Sequence, residues 1–98
     1  MADDAGVLVS TLDPDGRRVE LVEERWRHIL AEHPELAPHL ANVTQAVREP
    51  DQRMAGREAN EEWFYLEGAG PSRWLKVVVH YEQGRGWIAT AFARRSMP

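Results

Sequence analysis

Four side chains with complementary chemistry lie on two neighbouring stretches near the C-terminal end: Lys76 and His80 on one, Thr90 and Arg94 on the other. A short turn separates the stretches, so they read as hairpin partners. In the expected register the four groups share one sheet face. Together they offer a group that exchanges protons near neutral pH, two fixed cations and a hydroxyl. A slip of one residue would move half of the set to the other face. Such residues also commonly decorate the solvent side of a sheet.

The other three histidines belong to the helical part of the chain. Glu24, His28 and Glu32 are spaced i, i+4, i+8, a ladder that suits a surface ion-pair row better than a metal clamp. His28 lies opposite the apolar stripe of its helix and should face solvent or a partner. His33 falls at the helix end, where it reads first as a cap on the last carbonyls and second as an acid–base residue. His39 reads as a surface residue. Arg53, on a weak strand, is a further candidate substrate-binding cation. No His-Glu-x-x-His pair and no Gly-rich phosphate loop occurs, so no metal and no cofactor is expected.

These groups must be positioned by the elements around them. Val7–Leu12 alternates and stops at Asp13-Pro14-Asp15-Gly16, a strong turn, after which Arg17–Leu21 returns as a second strand. Trp26, Ile29, Leu30 and His33 follow the i, i+3, i+4, i+7 pattern of a helix over about Glu23–His33. Pro34 stops it. A second helix runs to about Glu49 and carries Leu40, Val43 and Val47 on one side, with Pro38 tolerable only near its start. Strands follow at Asp51–Ala55, Glu62–Glu67, Arg73–Tyr81 and Trp87–Arg94, divided by Gly/Pro-rich turns. Strict alternation puts Ile88 with Thr90, Phe92 and Arg94, and Trp87 with Ala89, Ala91 and Ala93. The resulting class is α+β: an N-terminal hairpin and two helices packed on a four-stranded antiparallel sheet.

The chain of 98 residues makes one domain, with residues 1–6 and 96–98 expected to be flexible at its ends. Its 43% apolar and 29% charged residues describe a globular chain. The absence of cysteine excludes disulfides, thiolate catalysis and Cys-ligated zinc. No apolar run approaches the roughly 20 residues of a membrane helix, and the acidic start lacks a signal peptide's character, so a cytoplasmic protein without a membrane partner is expected. The net charge of −4 argues against a general nucleic-acid coat. It is unevenly spread: residues 1–69 hold 7 basic and 15 acidic groups, while residues 70–98 hold 5 basic groups and Glu82. Four of the eight aromatic residues are Trp, which read as core, with at least one ring partly exposed.

The string Leu21-x4-Trp26-x-His28-Ile29-Leu30-x2-His33-Pro34-Glu35-Leu36 is the most distinctive segment. With Pro50-Asp51, Trp74-Leu75-Lys76-Val77-Val78-Val79 and Ile88-Ala89-Thr90-Ala91-Phe92, it resembles small phage- and mobile-element-associated domains of the barnase–EndoU–RelE (BECR) nuclease group. The resemblance spans roughly residues 19–95. It implies metal-independent cleavage of RNA by attack of the 2′-hydroxyl, with His80 or His33 as acid–base residue. Thr90 would orient the phosphate that Lys76 and Arg94 hold, and His28 belongs to the motif. RNA is then the partner, and a cognate inhibitor or antitoxin is a second one. The competing expectation is a non-catalytic module that binds RNA, an antitoxin or another copy of itself.

Overall fold

A computed structural model describes residues 6–98. The expectation for the extreme N-terminus lies outside the described residues. Strands β1 (Val7–Leu12) and β2 (Arg18–Val22) form the hairpin, and α1 (Glu23–Glu32) follows without a break. A 3-10 helix (Pro34–His39) leads into α2 (Leu40–Arg48), and β3 (Gln52–Ala55), β4 (Glu61–Glu67), β5 (Trp74–Glu82) and β6 (Arg85–Arg94) complete the chain. No helix among the described residues is long and apolar enough to cross a membrane.

Local chemistry sets these boundaries. The β1–β2 turn closes because Gly16 takes a positive φ of 83° and the Asp13 carboxylate accepts the backbone N–H groups of Asp15 and Arg17. Glu23 and Glu24 occupy the first turn of α1, where the helix dipole favours negative charge. The helix stops at His33, kept out of the helical region at φ −135° and ψ 68° by the proline that follows. Pro34 and Pro38 lack backbone N–H groups, so this stretch takes the tighter 3-10 form and α2 begins only at Leu40. Gln83 and Gly84 both have positive φ, which gives a two-residue turn matched to the twist of β5 and β6.

The strands form one six-stranded mixed sheet in the order β1-β2-β6-β5-β4-β3. The α+β class is as expected, but the sheet is larger than the four antiparallel strands expected. The hairpin is not a separate layer: Arg18–Glu20 of β2 pairs in parallel with Arg85–Trp87 of β6 and extends the sheet. Neither strand betrays this pairing locally, because β2 and β6 are far apart in sequence and joined through the helices.

Both helices cover one face. Trp26, Ile29, Leu36, Val43, Ala46 and Val47 meet Val19, Leu21, Phe64, Leu66, Leu75, Val77, Val79, Ile88 and Ala91 in a single core. Strict alternation fails once in β6. Val78 pairs with Thr90 but Val79 with Ile88, so Ala89 bulges out. Ile88 consequently joins the core, and Trp87 moves to the face of Thr90, Phe92 and Arg94. That second face, free of helices, carries the chemistry.

Candidate active site on the open sheet face

The open face is centred on Val78, flanked across the ladder by Trp63 of β4 and Thr90 of β6. Lys76 and His80 lie on either side of Val78 along β5. Lys76 is buried at 5% exposure, although it is outside the helix-packed core. Its cover is aromatic. Nζ lies 3.5 Å from the centre of the Trp63 ring, 5.7 Å from Tyr65 and 5.6 Å from Phe92. Tyr65 is its direct partner in the ladder, so the shorter approach to Trp63 shows the side chain leaning towards the His80 end.

His80 faces Glu61 across the β4–β5 ladder, with Nε2 3.5 Å from Oε1. Glu61 is itself held firmly. The Trp63 indole N–H donates to its other oxygen at 2.5 Å, and the Gly56 N–H donates to its carbonyl at 2.7 Å. Gly56 packs so closely that an added Cβ would meet the Glu61 side chain at 2.5 Å. Burial works against the Glu61 charge, but the indole, the backbone around Arg57 and Glu58, and His80 outweigh it and keep the carboxyl below its usual range. The result is a continuous chain: His80, Glu61, Trp63, Lys76.

Charge around Lys76 is unbalanced. Burial lowers its pKa first, the Arg94 and Arg57 guanidinia lower it further, and Glu61 opposes them. No ion pair to Lys76 forms among the described residues. Tyr65 is fully buried on the same face, edge-on to Trp74 at 6.2 Å, and its hydroxyl has no hydrogen-bond partner. Burial raises the pKa of that hydroxyl, with Arg94 acting against the shift.

A second charged cluster lies at the end of the helix-covered face. The Asp13 side chain is fully buried. It accepts from Tyr81 Oη at 2.7 Å and from Arg17 Nε at 2.9 Å. Glu62 accepts from Arg17 at 2.9 Å and from Arg53 at 2.8 Å, and Arg53 also reaches Asp15 at 2.6 Å. The Arg17 guanidinium stacks 3.7 Å from the Tyr81 ring. Burial pushes the Tyr81 hydroxyl far above its ordinary value, reinforced by the Asp13 carboxylate. Every strong group in this cluster is satisfied from within, and it pins the hairpin turn to β4 and β5.

The residues singled out in the sequence therefore separate. His80, Thr90, Lys76 and Arg94 do share one face. Arg94 pairs with Trp74, six residues along β5 from His80, or about 20 Å at normal strand rise. It acts on Lys76 and Tyr65, not on His80. His33 caps α1 through its backbone N–H and stacks its ring on Phe92 at 5.6 Å, with Glu35 3.8 Å away. His28 is exposed on α1, beside Glu24 and Arg25. His39 is half-buried and lies 3.0 Å from Asn42 Oδ1, where a surface position was expected. Arg53 belongs to the closed cluster on the other face, so its charge is already matched. Among the Trp residues, Trp26 is core, Trp63 and Trp74 are half-buried on the open face, and Trp87 is 41% exposed. Among the described residues, no group of three or more acidic or histidine side chains is placed to hold a metal ion.

Sequence reasoning missed Glu61, Arg57 and Tyr65. Counting back across the Gly68–Arg73 turn from a Glu67–Trp74 pair would have set Glu61 opposite His80. Beginning β4 at Glu62 left it in a loop.

Set against known protein families, curated proteins and solved structures, the chain finds no match in any of the three.

Proposed function

We propose that the open face binds single-stranded RNA and cleaves it without a metal ion, in the manner of the BECR-like nucleases the sequence resembles. The observation that carries this reading is one face that combines an imidazole backed by a fixed carboxylate with an under-neutralised lysine among aromatic rings. Half-buried Trp63 and Trp74 present surfaces on which bases stack. Lys76, Arg57 and Arg94 supply the positive field for the backbone.

In the reaction, Glu61 turns Nε2 of His80 towards itself and leaves Nδ1 to take the 2′-hydroxyl proton. The 2′-oxygen forms a bond to phosphorus as the bond from phosphorus to the 5′-oxygen breaks. Lys76, whose ammonium gives up a proton more readily for being buried, protonates the 5′-oxygen. The proton on His80 then returns to Lys76 through solvent. The products are a 2′,3′-cyclic phosphate and a 5′-hydroxyl. Arg57 and the Thr90 hydroxyl contact the charged phosphoryl oxygens.

The test is incubation of mixed cellular RNA with the protein in EDTA. Discrete fragments ending in cyclic phosphate are expected, and His80→Ala should cut the rate by roughly 10²–10⁴-fold, the range of one acid–base residue. Full activity in that variant would remove His80 from the chemistry. RNA that is bound but stays intact would favour a non-catalytic RNA-binding module.

A further inference from the structure

On the far side of His80 from Lys76, the open face ends in a groove of about 400 Å³ lined by Glu58, Asn60, His80, Glu82 and Trp87. Trp87 pairs with His80 in the β5–β6 ladder and is 41% exposed. Glu58 and Glu82 form no ion pair among the described residues. No Lys or Arg among the described residues lines the groove, and the neighbouring Arg85 lies 3.3 Å from Glu20. A phosphate entering here would meet carboxylates with no cation to receive it. A planar cation would meet an indole face to stack on and carboxylates to bridge, the two contacts a guanidinium makes best.

We infer that this groove receives an arginine side chain from a second protein. Charge complementarity selects the cation, and the surrounding surface selects a polypeptide over a small amine. Leu12, Val22 and Trp87, three of the large exposed apolar side chains, lie on this same face across β1, β2 and β6. Val22 and Trp87 jointly line the next groove. An arginine seated on Trp87 with flanking apolar residues over Val22 would cover the Nδ1 side of His80. If the face cleaves RNA as proposed above, such a partner inhibits it; the binding itself does not depend on that reading.

The probe is the peptide acetyl-Gly-Leu-Arg-Leu-Gly-amide, titrated into ¹⁵N-labelled protein and compared with the same peptide carrying citrulline. Trp87→Phe assigns the Trp87 indole resonance. The arginine peptide should shift that resonance saturably. Citrulline, and the Glu58→Gln/Glu82→Gln double variant, should each weaken binding at least tenfold while the remaining spectrum stays that of the folded protein. Equal binding of the two peptides, or no movement of Trp87, overturns the inference. So does a shift produced by guanosine alone, which would make the groove a base subsite. A shift that grows with protein concentration and without peptide would assign the groove to a second copy of this chain and also overturn it. RNA cleavage plays no part in these outcomes, so failure here is separate from failure of the nuclease reading.

Discussion

The two faces of the sheet each bury charge, and they treat it in opposite ways. At the end of the helix-covered face, Asp13, Arg17, Arg53, Glu62 and Tyr81 satisfy one another, and nothing in that cluster is left to act on a ligand. On the open face, Lys76 is almost as deeply buried, yet it rests on aromatic rings beside two further cations. A closed network stabilises the fold once it is complete, because each member is solvated by another. An incomplete one is costly and persists where it does something else. Partnering, more than burial, separates structural charge from functional charge in this molecule.

The largest effect expected from breaking this comparison is on the closed side. Asp13→Ala removes the acceptor of Tyr81 Oη and Arg17 Nε and leaves the buried Tyr81 hydroxyl without a partner, while Arg17 keeps its bond to Glu62. Its cost should be about 3–5 kcal/mol in urea unfolding, as for other broken buried pairs. RNA cleavage by the fraction that remains folded should be unchanged. A loss below about 1 kcal/mol would show that the cluster is not what pins the hairpin.

The same cluster predicts the acid limb of stability. Burial raises the Asp13 carboxyl pKa, but the Tyr81 hydroxyl, the backbone N–H groups of Arg17 and Asp15, and the Arg17 charge together bring it below its ordinary value. A carboxyl depressed in the fold contributes stability above its unfolded pKa of about 4, and this is lost as pH falls through the lower folded value. Urea midpoints measured from pH 6 to pH 2 should fall steeply in the parent protein and less so in Asp13→Asn. Parallel curves would exclude Asp13 as the source.

Much of this architecture was legible in the sequence. The Asp-Pro-Asp-Gly turn, the stripe around Trp26 and Ile29, and the Val77–Val79 run each carry a local signal, and the elements fall within a residue or two of expectation. The parallel β2–β6 contact carries none, since it depends on where the helices return the chain. The Ala89 bulge was equally silent, and it alone reassigned Ile88 and Trp87. For the site, residue types pointed to His80 and Lys76 correctly as neighbours on one face. Their companion Glu61 is set by cross-strand register, and Arg53 looked available because its partners are Glu62, set by the β3–β4 register, and Asp15, brought in from the distant β1–β2 turn.

On the open side the first test is geometric. Gly56→Ala places a methyl where the Glu61 side chain now lies. Glu61 must shift, and with it the orientation of His80, although neither side chain is removed. A loss of about tenfold in cleavage is expected, roughly 1.4 kcal/mol in transition-state terms. The ¹⁵N resonances of the His80 ring should move as the ring loses its fixed tautomer. Glu61→Gln should reproduce both changes. Unchanged ring resonances in both variants would mean that Glu61 does not position His80.

The smallest stability effect belongs to Lys76→Met, and its smallness is the point. Methionine keeps the length and apolar contact of the lysine stem and places sulfur near the Trp63 ring, a favourable neighbour. It removes an ammonium that the fold buries without a counter-ion. Stability at neutral pH should therefore stay within about 1 kcal/mol of the parent or rise, as when buried charge is replaced by an apolar residue of similar shape. The pH dependence supplies the sign. A lysine whose pKa is lowered in the fold opposes folding while it is protonated, and that penalty is relieved as pH climbs from the lowered value towards about 10.4. The parent should gain stability over this range and Lys76→Met should not. RNA affinity should fall in the same variant, with a shallower dependence on salt, because one phosphate contact is gone. A variant that loses 2 kcal/mol or more while binding RNA normally would place Lys76 with the Asp13 cluster, as a structural charge, and erase the distinction between the two faces.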